Sequence, residues 1–233
     1  HEEDTMTTLL PADQDPYVAW RGPLPTPDIR RDNTALLTID MQYLDADWDW
    51  GMCKRAREAG FEGDLLYYRD RLATIVPKIR LLQDACRAKG VEVMHVKIQS
   101  LKPDGRDRGP AHKGLGMHAA PGSREAEILD ELKPLANEIV LTKTASSAFN
   151  GTTLDRVLRG LGIQNLILCG VFTTNCVESA ARDGADLGYS CIVVEDACGS
   201  LLEEMHLASI RVMRNIYARI RTVKEVKVTI DAL

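Results

Sequence analysis

The chain has 233 residues, a mass of 25.8 kDa and a formal net charge of −5. With 45% hydrophobic and 27% charged residues it holds enough apolar side chain for a substantial core, which excludes wholesale disorder. Its acidic balance, with a pI near 5.6, argues against nucleic acid or an anionic membrane as the main partner, and no apolar run approaches the ~20 residues that span a bilayer.

Residues 1–31 are rich in Pro and Asp and read as an extended arm, its first residues a tag remnant with Met6 a candidate native start. A single domain is expected over 32–233. No basic segment followed by an apolar one opens the chain, so a cytoplasmic location is expected. The six cysteines (Cys53, Cys86, Cys169, Cys176, Cys191 and Cys198) form no CxxC pair and read as free thiols.

Thr34 to Asp40 is an apolar run ending in an acid, the pattern of a buried strand. Leu65 to Lys89 reads as a helix, because Leu72, Ile75, Val76, Ile79 and Leu82 recur at helical spacing and Gly90 supplies a stop. Pro77 inside it predicts a kink or a late start. Val91 to Val96 alternates like a strand. Periodicity then vanishes from Ile98 to Gly122, a long loop of the kind that often carries function. Ser123 to Leu132 reads as a capped helix, Glu138 to Leu141 as a strand, and Thr153 to Leu161 as a helix closed by Gly162.

Asn165 to Gly170 is a strong buried strand, followed by the polar link Thr173-Thr174-Asn175 and a helix from Cys176 to Leu187. Cys191 to Asp196 is the next strand, Glu203 to Tyr217 a helix, and Ala218 to Arg221 a last short strand. Thr222 and Glu225 have capping-box spacing and open a terminal helix. Continuous apolar strands alternating with helices predict an α/β fold: a three-layer α/β/α sandwich around a mainly parallel, doubly wound sheet.

In such sheets ligands sit beyond the carboxyl ends of the strands. Asp40, Lys143 and Cys176 all fall at such ends. Taken singly, each has an ordinary structural reading: a turn or cap acid, a solvated amine, a buried inert thiol. Together they make chemical sense. A carboxylate accepts the thiol proton, and an ammonium and a helix N-terminus stabilise the sulfur anion. Amides at the helix start can bind the oxyanion formed when sulfur attacks a carbonyl.

At this point the chain resembles a known family, the cysteine hydrolases of the isochorismatase-like superfamily. The resemblance lies in Ala35-Leu36-Leu37-Thr38-Ile39-Asp40-Met41-Gln42, in Lys143 with Ser147-Ala148-Phe149, and in the long stretch from Gly170 through Asn175-Cys176-Val177-Glu178 to Asp183. It implies an Asp40–Lys143–Cys176 triad, a cis peptide bond at Val171–Phe172, and an oxyanion hole from the Phe172 and Cys176 amides. It also implies a homo-oligomer, a dimer or tetramer. Cys176 argues against the vinyl-ether-cleaving branch, which lacks that residue. No Asp-x-His follows Met94-His95-Val96, so no metal and no other cofactor is expected, and His95 reads as a structural histidine.

Ser147 to Leu154 and Cys176 to Ser179 look most like the hydrolases of ureides and carbamoyl amides, the biuret, triuret, ureidoacrylate and N-carbamoylsarcosine types. The expected partner is thus a small amide or ureide. Gln42, Asn175, Phe149, Lys113 and His118 are the substrate-binding candidates, the last two from a cationic loop that also carries Lys102, Arg106, Arg108 and His112 and reads either as a solvated surface loop or as the holder of a substrate carboxylate, such as an N-carbamoyl amino acid or ureidoacrylate presents. Trp48, Trp50, Tyr67 and Tyr68 are candidates for a pocket wall or a subunit contact. Asp45, Asp47 and Asp49 loosely suggest a calcium loop, but no Glu stands at its twelfth position. Other readings are a metal-free nicotinamidase-like or maleamate-type amidase, a redox sensor with Cys169 resolving Cys176, and a non-catalytic binding module.

Overall fold

A computed structural model describes residues 11–233. The first ten residues of the expected arm, Met6 among them, lie outside the described residues. The rest of the arm is not simply extended. Pro16–Arg21 forms a short helix, α1, started by the Asp15 carboxylate, which accepts the Tyr17 N–H at 3.1 Å.

The strands are β1 (Thr34–Ile39), β2 (Glu92–Ile98), β3 (Ile139–Lys143), β4 (Asn165–Val171), β5 (Ser190–Gly199) and β6 (Ala218–Arg221). Between them run α2 (Gly51–Glu58), α3 (Leu66–Lys89), the short α4 (Pro110–Gly114), α5 (Leu154–Gly160), α6 (Glu178–Asp186) and α7 (Glu203–Ile216), and α8 (Val223–Asp231) ends the chain. The six strands form one sheet in the order β3-β2-β1-β4-β5-β6, every neighbouring pair parallel. The strand order reverses between β1 and β4, which makes their carboxyl ends the topological switch point where such sheets bind ligands.

Alternation along the strands divides the core. Leu36, Ile167 and Cys169 pack with α3 and α8 on one face. Ala35, Leu37, Ile39, Leu166 and Leu168 pack with α5, α6 and α7 on the other. The middle strands are buried throughout, as helices covering both faces of a parallel sheet require. Pro77 sits inside α3 without ending it. Both Pro77 and Ala73, whose carbonyl loses its helical donor to the proline, are exposed, so water can replace the missing bond. The capping box at Thr222 is present, with both reciprocal bonds to Glu225 made.

One expected element is absent. Ser123 to Leu132 is not a helix but two short 3-10 turns, Arg124–Ala126 and Asp130–Leu132. The backbone between and beside them stretches out to serve the chain after β1. Tyr43 N donates to Glu127 O, Leu44 N to Glu125 O and Leu129 N to Met41 O, around a Gln42–Ile128 bridge. Long-range pairing thus overrides the local helical signal.

Gly170 holds the switch point together. Its φ is +118°, and a Cβ there would lie 2.0 Å from the Ile39 carbonyl oxygen. Gly170→Ala combines a Gly-only conformation with a backbone collision, and is expected to cost at least about 3 kcal/mol. Urea denaturation checks this; an unchanged midpoint would show that β1 and β4 do not approach so closely.

Candidate active site

Three strand ends deliver the reactive groups. Asp40 follows β1 directly with a left-handed φ of 51°, a conformation Asp tolerates better than most residues and one that turns the chain sharply off the strand. Lys143 is the last residue of β3. Cys176 lies in a π-helical turn, Thr173–Val177, between β4 and α6. The Val171–Phe172 bond that leads into this turn is cis.

The side chains converge. Lys143 Nζ lies 2.8 Å from Asp40 Oδ2 and donates to Cys176 Sγ at 3.3 Å and to the Ala145 carbonyl at 3.1 Å. All three are buried, at 1%, 0% and 5% exposure for Asp40, Lys143 and Cys176. Burial raises the Asp40 pKa, and the attraction of Lys143 and Arg108 does not fully offset it. Burial alone would lower Lys143, but Asp40 and Cys176 beside it hold its ammonium above the ordinary lysine value. Burial, reinforced by the charge of Asp40, pushes the Cys176 thiol well up against the pull of Lys143. The resting centre therefore holds a neutral thiol next to a carboxylate with enhanced proton affinity.

The turn that carries Cys176 is tightly tied. Phe172 O accepts from Asn175 N at 3.0 Å and from Val177 N at 3.2 Å, while among the described residues neither the Phe172 nor the Cys176 amide donates to a backbone carbonyl outside the turn. Arg71 reaches from α3 to the Cys198 and Glu195 carbonyls and to His206 Nε2 at 3.1 Å. Arginine only donates, so Nε2 accepts and the His206 proton sits on Nδ1, which donates to Thr173 Oγ1 at 2.8 Å. Burial and Arg71 push His206 down to about 3, so it stays neutral and this support persists at physiological pH.

The substrate-binding candidates fare differently. The Gln42 amide is spent on the fold: Nε2 donates to Ile98 O and Glu125 O, both at 2.8 Å, and Oε1 accepts from Ile98 N at 2.6 Å. Phe149 faces the core, stacked on Tyr189 at 5.7 Å between centroids and packed among the α5–α7 side chains. Lys113 and Asn175 are exposed, and the His118 ring is engaged with the Pro103 carbonyl at 3.2 Å. His95 is buried against Glu138 at 3.1 Å. Among the described residues no group of three or more His, Cys, Asp or Glu is placed to hold a metal ion. Cys169 packs on the α3 face of the sheet and Cys176 on the opposite one, which leaves no route to a disulfide between them.

Of the aromatic cluster, Tyr68 is fully buried, donates to Asp45 O at 2.7 Å and stacks on Phe172 at 5.3 Å. The guanidinium groups of Arg57 and Arg69 lie 4.7 and 5.9 Å from the centre of the Trp48 ring, and Trp50 is 41% exposed. Two residues outside the five substrate-binding candidates join the centre, one from the segment with loose calcium-loop spacing and one from the cationic loop. Asp45 and Arg108 are buried within electrostatic reach of the centre. An acid inside the otherwise apolar Tyr43-Leu44-Asp45-Ala46 was the available signal for the first.

Comparison with known proteins agrees with this architecture. A family model described as "Isochorismatase domain" matches residues 34–225. The chain is similar to the ureidoacrylate amidohydrolase RutB of Acinetobacter baylyi, 32% identical over 205 residues that make up 76% of this chain and 76% of that protein. RutB of Rhizobium rhizogenes is 30% identical over 84% of this chain and 78% of its own length. Among solved structures, an N-carbamoylsarcosine amidase from Thermoplasma acidophilum superposes with a TM-score of 0.64 at 26% identity, covering 82% of this chain and 96% of that one. A cysteine hydrolase from Pseudomonas syringae shares the fold, with a TM-score of 0.76 at 24% identity over 91% of this chain and 98% of that one.

Proposed function

The chain belongs to the isochorismatase family of hydrolases, and from that premise we propose that it cleaves a C–N bond in a small ureide or carbamoyl amide, using Cys176 as nucleophile. The observation that carries this reading is Lys143 Nζ standing between Asp40 Oδ2 at 2.8 Å and Cys176 Sγ at 3.3 Å, buried at the switch point of the sheet.

In this mechanism Asp40 takes the Cys176 proton as the substrate carbonyl approaches. The sulfur attacks the carbonyl carbon, and the Phe172 and Cys176 amides hold the oxyanion. Asp40 gives its proton to the departing ammonia or amine, leaving an acyl group on sulfur. It then takes a proton from the water that releases that group, and the thiol re-forms. Lys143 has a constant charge throughout. It keeps Asp40 ionised for the first transfer and offsets negative charge as it moves from oxygen to sulfur. The side chains supply every proton transfer in this scheme.

Ammonia release tests the proposal. Biuret, triuret, a ureidoacrylate, N-carbamoylsarcosine, nicotinamide and maleamate are presented to the native protein and to Cys176→Ala. We expect release from at least one ureide by the native protein alone. Turnover of nicotinamide or maleamate with every ureide inert would move the assignment to the amidase branch.

A further inference from the structure

Ile167 on β4 and Ile192 on β5 are register partners on the face of the sheet covered by α3 and α8, and Arg219 on β6 continues the row. Side chains two apart on a strand share a face, so Arg221 stands beside Arg219, while Ile220 between them packs on the other side. A third apolar side chain in the row would close the core there. With arginine in its place, a cavity of about 170 Å³ lies over the row, lined by Ile167 and Ile192, by Val226 and Ile230 of α8, and by Pro27 and Ile29 of the arm. Protein interiors seldom leave room for much more than a water molecule, and an apolar cavity of ~150 Å³ is enough to admit benzene.

The rim of this cavity is cationic, because Arg219 and Arg221 both line it. Arg219 Nη1 donates to Ser190 Oγ at 2.9 Å and Nη2 donates to the Pro25 carbonyl, while its Nε is buried with no partner among the described residues. Arg221 Nη1 donates to the Ile220 carbonyl at 2.8 Å. All these acceptors are neutral oxygens. Burial, and then the charge of Arg221, lower the Arg219 pKa, so the pair is short of negative charge. Glu225 is the one acid among the lining residues and feels Arg221, but its Oε2 is engaged by the Thr222 N–H and hydroxyl in the capping box.

We propose that this cavity is a ligand site for a small monocarboxylate with a compact apolar body, an aromatic acid of the size of benzoate. The ring lies on the Ile167–Ile192 row. The carboxylate meets the guanidinium groups at the rim, where it supplies the negative charge and the acceptor that the protein side lacks. The site is separate from the reacting centre and does not depend on the hydrolysis proposed above. Cys176 packs on the other face of the sheet. Ile167 and Ile192 lie in the amino-terminal halves of their strands, whereas Asp40, Lys143 and Cys176 stand at or beyond carboxyl ends. Because Pro27 and Ile29 close the cavity, a bound acid also ties the arm to α8 and stabilises the folded chain.

Titration of the native protein with benzoate, read from the δ1-methyl resonances of its isoleucines, tests this, with benzyl alcohol as the uncharged probe. Benzoate is expected to bind with a Kd below ~1 mM, as a ligand of its size can reach, and to raise the melting temperature. It should shift the Ile167, Ile192 and Ile230 resonances and leave Ile39, on the opposite face, unmoved. Benzyl alcohol should bind at least ~10-fold more weakly, because it forgoes the charge-assisted bonds. Arg221→Met, a change at an exposed side chain, removes most of that difference by weakening benzoate alone. Val226→Phe fills the cavity from α8 and abolishes binding of both probes, with a melting curve to confirm that the variant is folded. Shifts centred on Ile39, no saturable binding up to ~10 mM, or an Arg221→Met protein with undiminished preference for the acid would overturn the proposal. So would equal affinity for the two probes, which would leave an apolar cavity that does not recognise the carboxylate.

Discussion

Cys176→Ala is expected to lose at least ~10⁴-fold in kcat while keeping the native fold. The catalytic loss follows from removing the atom that forms the covalent intermediate, for which the neighbouring groups hold no substitute: Lys143 donates to the sulfur and to Asp40, and neither of the two is a nucleophile in this scheme. The fold is expected to survive because alanine keeps the backbone of the turn, whose bonds run through Phe172 O, Thr173 and Ser200 and not through the sulfur. Cys176→Ser should be nearly as inactive. A hydroxyl is a much weaker acid than a thiol, and Asp40 is tuned by burial to meet a thiol. The same tuning predicts slow alkylation of Cys176 by iodoacetamide at pH 7 and a steep rise with pH, because burial and Asp40 hold the sulfur as a thiol in the free protein. Single-turnover kinetics and circular dichroism on the variant check the first statement. Residual turnover within tenfold of the native protein would remove Cys176 from the nucleophile position.

The architecture was legible because its signals are local. Leu36, Ile167 and their neighbours form apolar runs too short for helices and too continuous for half-exposed strands, so a parallel sheet with helices on both faces follows from pattern alone. The ends of those runs then pointed to Asp40 and Cys176. What was not legible depends on contacts between distant segments. Ser123 to Leu132 carries a capping residue and apolar side chains at plausible spacing, but its backbone bonds are claimed by Tyr43 and Leu44, some eighty residues away. Gln42 stands two residues from Asp40 and looks available, yet its amide closes the gap between β2 and the loop at Glu125. Phe149 lies in one of the stretches that carry the family resemblance, and it packs into the core. Among the cations of the long loop, nothing in composition separates Arg108 from Lys113; only the fold buries one at 2% exposure and leaves the other in solvent.

Lys143→Met is expected to remove activity and, in addition, to destabilise the protein by about 3–5 kcal/mol, more than any surface charge would. Methionine fills most of the space of the lysine stem, so the loss is one of charge and not of volume. It strands Asp40, whose Oδ1 has no partner among the described residues and whose Oδ2 is met by Lys143 at 2.8 Å. The cost depends on pH, and its sign is determined. The Asp40 pKa in the folded protein already lies above its unfolded value of 3.8, and loss of the ammonium raises it further. Between those two values the folded state binds more protons than the unfolded one, so stability falls as pH rises through that window. The variant should therefore approach native stability near pH 4 and show its full deficit at pH 8. Adding Asp40→Asn removes the stranded charge: the double variant should regain most of the lost stability at pH 8 and none of the lost activity. Urea titrations at the two pH values, with the four proteins arranged as a double-mutant cycle, give the coupling directly. A deficit independent of pH, or a double variant no more stable than Lys143→Met, would mean that Lys143 supports packing instead of the Asp40 charge. In that case the ammonium would not be the group that keeps the base ionised for catalysis.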